Sequence, residues 1–394
     1  MTSRFLVINA GSSSLKFALY KGRARPELLA SGNLSRIGTT PQFSLQLTGA
    51  PDQIRAAVPG PIDLPTAANF VFDELDRLGL LADVAAVGHR IVHGGAEFDR
   101  PVRLDTNVLA ELERLVPLAP LHQPHNLDIV RLAATRLPQA IPIGCFDTAF
   151  HADRPRLDKL YGLPLEMSDE GIIAYGFHGL SYEYIAARLR LLDGARAGGR
   201  TIVAHLGSGA SLCAMESGAS VATTMGFSAL DGLMMATRCG AIDPGVLLHL
   251  IDARRMTTGS LADLLYNRSG LLGVSGISGD MQVLLQSDEP RAAEAIDLYV
   301  YRIARAIGSL VAVLGGLDSL VFTAGIGENA PLIRQRITES IAWLGLQIDE
   351  VANQKGQEVI SLPTSRVTIR VIPADEEQAI AERMADCFGL AGNE

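Results

Sequence analysis

The chain has 394 residues, is 48% apolar and carries a formal net charge of −9. That length supports two or more domains with separate cores, and the acidic balance argues against a sequence-independent nucleic-acid binder, which needs a basic face. The first apolar run stops at Asn9, too short for a secretory h-region, and no run approaches the roughly 18 apolar residues of a membrane span. A cytoplasmic protein without nucleic-acid or membrane partners is therefore expected, with Cys145, Cys213, Cys239 and Cys387 as free thiols because no C-x-x-C spacing occurs.

Phe5–Ile8 reads as a buried strand ending on Asn9, and Leu15–Tyr20 as a second strand. Between them Gly11, Ser12, Ser13 and Ser14 form the tip of a hairpin. Such a tip can aim backbone N–H groups at a phosphate, with Lys16 adding positive charge, although ordinary hairpin loops favour the same residues. No Gly-x-x-x-x-Gly-Lys-[Ser/Thr] opens a helix here, so this is not a Walker A loop. Residues 22–66 lack periodicity and predict short strands and loops. Phe70, Val71, Leu75 and Leu78 predict an amphipathic helix over Ala67–Leu81. A strand at Ala85–Gly88 leads into His89-Arg90-Ile91-Val92-His93-Gly94-Gly95. Helices near 106–115 and 126–136 flank a Pro-bracketed turn at Pro117–Pro124, and Ile141–Phe146 reads as another buried strand.

The design then recurs. Thr201–Leu206 is a strand, Gly207-Ser208-Gly209-Ala210-Ser211 a second glycine turn, and Leu212–Met215 the returning strand. A long helix is predicted over 290–314 from the spacing of Ile296, Val300, Ile303, Ile307, Leu310, Val311 and Leu314, stopped by Gly315-Gly316. Leu320–Thr323 is a strand, Ala324–Asn329 a third glycine turn that opens a helix, and Val367–Ile372 the last strand. The closing helix begins at Ala374, with Asp375, Glu376 and Glu377 in its first turn, where the helix dipole favours acids. Two similar strand–turn–strand units point to two similar α/β domains with a cleft between them, divided near 148–165.

Seven of the eight histidines lie between residues 89 and 205. The pairs His89/His93 and His122/His125 do not complete a zinc site, because no cysteine or carboxylate spacing joins them. His122 in its Pro turn and His178 beside glycines in Tyr175–Gly179 are the better candidates. Arg90, between a strand and a Gly-Gly turn, and Arg238, in the apolar stretch Met234–Gly240, each call for an anion. An internal salt bridge satisfies either one alone. Two such arginines beside three glycine turns favour a site for phosphates and a carboxylate.

Ten motifs, in order, resemble the acetate kinase family of the actin, hexokinase and sugar-kinase superfamily. They are NAGSSSLKF from Asn9, HRIVHGG from His89, PLAPLHQP from Pro117, FDTAFH from Phe146, YGFHG from Tyr175, HLGSGAS from His205, TMGF from Thr224, GLMMATRCGAIDPG from Gly232, FTAGIGEN from Phe322 and IPADEEQAIA from Ile372. The resemblance implies two RNase H-like (actin/hexokinase-type) domains flanking an active-site cleft. The first would be 1–148 with 376–394, and the second, 149–375, would carry nucleotide binding and dimerisation. It implies reversible transfer of phosphoryl from ATP to acetate with Mg²⁺, Mn²⁺ being an alternative metal, in a cytoplasmic homodimer. By the same resemblance Asn9 and Glu376 serve the metal and Lys16 the nucleotide phosphates. His205, Leu206, Gly207, Ser208 and Gly209 would line the nucleotide, as would Asp280, Met281 and Gln282, and Ala324, Gly325, Ile326, Gly327 and Glu328. Arg90 would hold the carboxylate, His178 and Arg238 the transferring phosphoryl group, Asp147 would organise the centre, and His122 falls within it. Val92, Leu121, Phe177 and Ala229 would wall the acyl pocket. A carboxylate substrate is already ionised at pH 7, so no general base is needed, and Asp147 is expected to orient its neighbours. The alternatives are a propionate kinase of the same fold and a non-catalytic, actin-like ATP-binding scaffold.

The chain departs from the family pattern at Ser208 (usually Asn), Ala222 and Ala241 (usually acids), Ala229 (usually Pro) and Gln282 (usually Arg). Ala229 is expected to enlarge the acyl pocket by about one methylene, worth roughly 0.8 kcal/mol, or fourfold in binding.

Overall fold

The computed structural model describes residues 4–11, 14–22, 26–194 and 199–387. Strands β1 (Arg4–Ala10) and β2 (Ser14–Lys21) pair antiparallel, with Asn9 opposite Lys16. Phe5 to Ala10 are all buried, and on its other edge β1 pairs in parallel with β6 (Val84–Ile91). A strand covered on both faces needs an unbroken apolar run, which is what Phe5–Ile8 supplies. Ser12 and Ser13 of the expected phosphate tip lie outside the described residues.

Residues 22–66 hold more regular structure than their composition predicts. β3 (Glu27–Ser35), β4 (Gln42–Leu47) and β5 (Ile54–Ala57) continue the sheet as an antiparallel meander. The alternation is broken at Gly32, where a Cβ would lie 2.2 Å from the Phe17 ring. There the small residue accommodates the aromatic ring of the neighbouring strand. With β7 (Val102–Arg103) and β8 (Ile141–Phe146), the eight-stranded order is β5-β4-β3-β2-β1-β6-β8-β7. The helix expected from Ala67 starts at Leu64, because the Asp63 carboxylate caps it at Thr66 N and Pro65 fits its first turn. Its buried face, Ala68, Val71, Phe72 and Leu75, packs on Leu6, Ile8, Leu15 and Phe17. The helix Gln123–Arg136 likewise begins earlier than expected, with Pro124 in its first turn.

The second sheet contains β9 (Arg200–Leu206), β10 (Ala210–Glu216), β11 (Ala219–Thr223), β12 (Ser319–Thr323) and β13 (Thr368–Val371), in the order β11-β10-β9-β12-β13. It repeats β3-β2-β1-β6-β8 of the first sheet: an antiparallel hairpin, then parallel strands beside the first hairpin strand. This is the duplicated RNase H-like arrangement of the actin/hexokinase fold. The second turn is shorter than expected, since Ala210 and Ser211 already belong to β10. The helix Pro290–Leu314 stops at Gly315, whose φ of 67° suits a residue without Cβ. No loop separates β12 from the helix Ala324–Asn329; the turn is concentrated in Ala324, with φ 65°. The closing helix runs Glu376–Cys387.

The chain divides into two compact units: residues 1–149 together with the segment from Asp375, and Phe150–Ala374. No helix among the described residues is long and apolar enough to cross a membrane.

Candidate active site

In the first unit, parallel register brings chemistry to one sheet edge. Ile8 lies beside His89, and Arg90 beside Cys145, so Asn9, Arg90 and Asp147 emerge together at the carboxyl ends of β1, β6 and β8. Such ends are where open α/β sheets bind ligands. Arg90 donates from Nε to Asp147 Oδ1 at 3.0 Å, from Nη2 to Oδ2 at 2.7 Å, and from Nη1 to Asn9 Oδ1 at 3.1 Å. Nη1 also lies 3.4 Å from Glu376 Oε2. Asn9 Nδ2 donates to Glu376 Oε2 at 2.8 Å and Glu377 Oε1 at 2.7 Å. The amide can serve both neighbours only in this orientation, because guanidinium cannot accept and carboxylates cannot donate. The Asp147 side chain is 2% exposed and that of Arg90 17%. Burial works against the Arg90 charge, but Asp147 and then Glu376 outweigh it and raise its pKa above the ordinary value. Burial pushes the Asp147 carboxyl up, against the pull of Arg90. Burial also raises Glu377, with Lys16 pulling it down.

Asp147, Glu376 and Glu377 thus share Arg90 and Lys16, leaving carboxylate in excess. A hard divalent cation that keeps its waters and phosphate oxygens suits that donor set. A ready-made cage does not exist: among the described residues no group of three His, Cys, Asp or Glu side chains is arranged to hold a metal ion. Burial pushes His89 and His93 down to about 3 and about 4, and His93 Nδ1 accepts from Gly95 N at 2.9 Å. The helix Gln123–Arg136 braces the loop after β6, with Asn126 Oδ1 accepting from Val92 N and Gln123 Nε2 donating to His93 O.

In the second unit the comparable edge carries histidines, hydroxyls and one arginine. His178 sits at φ 59° as the N-cap of the helix Gly179–Asp193. His151 fixes the backbone before it. Its Nε2 donates to Phe177 O at 3.0 Å, so Nδ1 accepts from Ser220 Oγ at 2.8 Å. Burial pushes His151 down to about 3, which keeps it neutral. Ser211 Oγ lies 2.8 Å from His178 Nδ1 and 2.5 Å from the Tyr182 hydroxyl. The His205 ring stacks on His178 at 4.2 Å, and its Nδ1 pairs with Ser181 Oγ at 2.8 Å. Arg238 Nη1 donates to Ala229 O at 2.9 Å. A Cβ at Gly209 would stand 3.1 Å from His178 Nε2 and 3.8 Å from Arg238 Nη1, so the glycine is what lets both groups approach one point. Beside them opens a cavity of about 910 Å³, bordered by Gly207, Ser208, Thr237, Asp280, Met281, Gln282, Gly325 and Ile326.

Residues 4–382 match the Acetokinase family. The chain belongs to this family. An acetate kinase of Rhodopseudomonas palustris (strain TIE-1) is 49% identical over 98% of this chain and 99% of its own length. One of Rhizobium meliloti is 47% identical over 95% and 96%. Among solved structures, a propionate kinase from Francisella tularensis subsp. tularensis SCHU S4 superposes with TM-score 0.89 at 33% identity, covering 97% of this chain and 98% of that one. The Porphyromonas gingivalis acetate kinase gives 0.84 at 36%, covering 98% and 100%.

Set beside this acetokinase framework, the candidate residues fall into two groups. Asn9, Arg90, Asp147 and Glu376 are joined in the first unit; His178, His205, Gly209, Ala229 and Arg238 are joined in the second. Lys16 is exposed on β2, Val92 is buried, Leu121 is exposed, and His122 is the N-cap of the helix Gln123–Arg136. Phe177 is buried, with its carbonyl held by His151. Leu206 is fully buried in the sheet and so does not border the cavity with its side chain. Glu328 turns its carboxylate to Ala374 N at 2.9 Å. Gly327 is buried in the short helix that Ala324 opens. Sequence reasoning passed over His151, Tyr182, Ser211 and Glu377. His151 and Ser211 lay within quoted motifs; Tyr182 stands one helical turn after His178, a spacing that places it against the same neighbour.

Proposed function

We propose that the protein is an acetate kinase that transfers the γ-phosphoryl group of ATP to acetate, giving ADP and acetyl phosphate, in a reversible reaction. The end-to-end match to curated acetate kinases carries this reading. At 33% identity, the propionate kinase structure does not favour the alternative substrate. The glycine-rimmed cavity beside Asp280–Gln282 is read as the nucleotide site. Among the described residues its border holds no lysine or arginine, so phosphate charge must be met by groups beyond it.

The chemical obstacle is the approach of two anions. Arg90 is read as the carboxylate anchor: Asp147 grips its Nε and Nη2, fixing the plane of the guanidinium in advance. His178 and Arg238 are read as donors to the transferring phosphoryl group, positioned before charge develops there. Asp147 has both oxygens committed to Arg90 and acts by orientation. Glu376 and Glu377 with Asn9 would hold Mg²⁺, or Mn²⁺ in its place, which when bound neutralises phosphate charge. The reading requires the Arg90 group and the His178–Arg238 group to serve one transfer, and direct in-line transfer is the simplest route. It also takes the protein to be a cytoplasmic homodimer. Val246, Leu248 and Ile251, exposed on the helix Pro244–Asp252, support self-association.

The test is a carboxylate panel with ATP, trapping acyl phosphate as hydroxamate, run beside Arg90→Ala and Arg238→Ala. Acetate-dependent hydroxamate that both variants lose is expected. ADP release indifferent to carboxylate, or ATP-dependent polymerisation without turnover, would select the scaffold instead.

A further inference from the structure

The second unit contains a hydrogen-bond relay that ends on His178. The Tyr182 ring is fully buried, and burial holds its phenol protonated, well above the ordinary range. A buried O–H needs an acceptor. The hydroxyl's partner among the described residues is Ser211 Oγ. A serine hydroxyl has one proton. If it accepts from Tyr182, it is free to donate to its other neighbour, His178 Nδ1, at 2.8 Å. The reverse order would have His178 Nδ1–H donate to Ser211 and the serine proton turn to Tyr182, leaving the phenol proton buried without an acceptor. Were Ser211 Oγ to accept from both, its own buried proton would lack an acceptor among the described residues, so the packing selects one direction.

We infer that Tyr182 and Ser211 are positioning residues that set the ring tautomer of His178, holding Nδ1 as acceptor and Nε2 as the proton-bearing donor. Nε2 is the atom that faces Gly209, on the side where Arg238 Nη1 also arrives. The relay thus turns an N–H, rather than a lone pair, toward Gly209, the side assigned to the phosphoryl group. Among the described residues, the stacked His205 ring and the Arg238 guanidinium also border His178, and Ser211 Oγ lies within hydrogen-bond distance of Nδ1. The functional part of the inference rests on the acetate kinase reading; the tautomer itself does not.

Two measurements separate these. Long-range proton–nitrogen spectra of the full chain labelled with ¹⁵N-histidine, with His178 assigned from the signal lost in His178→Gln, report which ring nitrogen carries the proton. The expected result is Nε2–H in the unaltered protein and a mixture of tautomers in Tyr182→Phe. Over the same pair, kcat for acetate should fall about tenfold, the size of one lost hydrogen bond, with KM for acetate and ATP held within about twofold, as for an interaction realised in the transition state. Ser211→Ala should move both readouts in the same direction. A protonated Nδ1 in the unaltered protein overturns the relay, even if neither Tyr182→Phe nor Ser211→Ala folds. So does a Tyr182→Phe variant whose ring signals are unchanged, whatever its rate. Absence of acetate-dependent transfer in the unaltered protein would instead sink the acetate kinase reading, with the spectra still deciding the relay.

Discussion

Across the first hairpin Asn9 faces Lys16; across the second His205 faces Ser211. The backbones match, each hairpin forming the centre of its sheet with a parallel strand beside it, yet the side chains at the two ends belong to different chemistries. At the first, Arg90 is tied to Asp147 and Glu376, and an amide links two more carboxylate contacts. At the second, His178, Ser211, Tyr182, His205 and Ser181 are joined by imidazole–hydroxyl hydrogen bonds and ring stacking. A buried ion pair is stable only while both partners remain. A neutral relay loses direction before it loses stability. The duplicated scaffold therefore places its vulnerability differently in each half: in folding for the first, in rate for the second.

The largest expected effect tests the charged half. Arg90→Ala leaves Asp147 buried without its partner and should cost about 3–5 kcal/mol in urea unfolding, besides abolishing turnover. Replacing both, as Arg90→Met with Asp147→Leu, should recover much of that stability and none of the activity. A single variant as stable as the unaltered protein would erase the contrast between the halves. On the neutral side, Gly209→Ala inserts a Cβ 3.1 Å from His178 Nε2. Here kcat should fall roughly ten- to hundredfold, as for a small displacement of a reacting group, while the unfolding midpoint barely moves.

Acid sharpens the comparison further. His89 has both ring nitrogens buried with no partner among the described residues, and burial pushes it down to about 3. A histidine depressed in the folded state binds its proton first in the unfolded chain, so its stabilising contribution is present above the unfolded value and is lost as pH falls. Between the ordinary 6.5 and about 3, each pH unit should cost about 1.4 kcal/mol for this one group. His89→Leu should flatten the low-pH limb of the stability curve by one proton; an unchanged slope would show that the ring is solvated. The smallest effect concerns the substrate. Ala229→Pro keeps the carbonyl that accepts from Arg238 and should lower the propionate-to-acetate ratio of kcat/KM by about fourfold, the worth of one buried methylene.

Much of this was legible from residues alone, for identifiable reasons. Apolar runs such as Phe5–Ile8, Ile141–Phe146 and the face of Pro290–Leu314 declare themselves because burial on both sides of a strand, or along one helix stripe, demands them. The meander over Glu27–Ala57 was not legible, because Gly32 replaces a side chain just where Phe17 fills the space. Arg90 and Arg238 stood out as cations in apolar, glycine-rich settings. Their partners did not: Asp147 is 57 residues from Arg90, and Glu376 is 367 residues from Asn9. Tyr182 reads as an ordinary buried aromatic until its hydroxyl is seen against Ser211.

By itself the order of residues determined the strands outside Glu27–Ala57, the long helix, the repeated hairpin and the family, since each depends on local pattern or on motifs contiguous in the chain. Tertiary structure alone decided which acid holds which base, which way the Asn9 amide turns and which nitrogen of His178 bears a proton. Those choices depend on contacts between distant segments at hydrogen-bond range, where a shift of one ångström exchanges donor for acceptor, and periodicity carries no information at that scale.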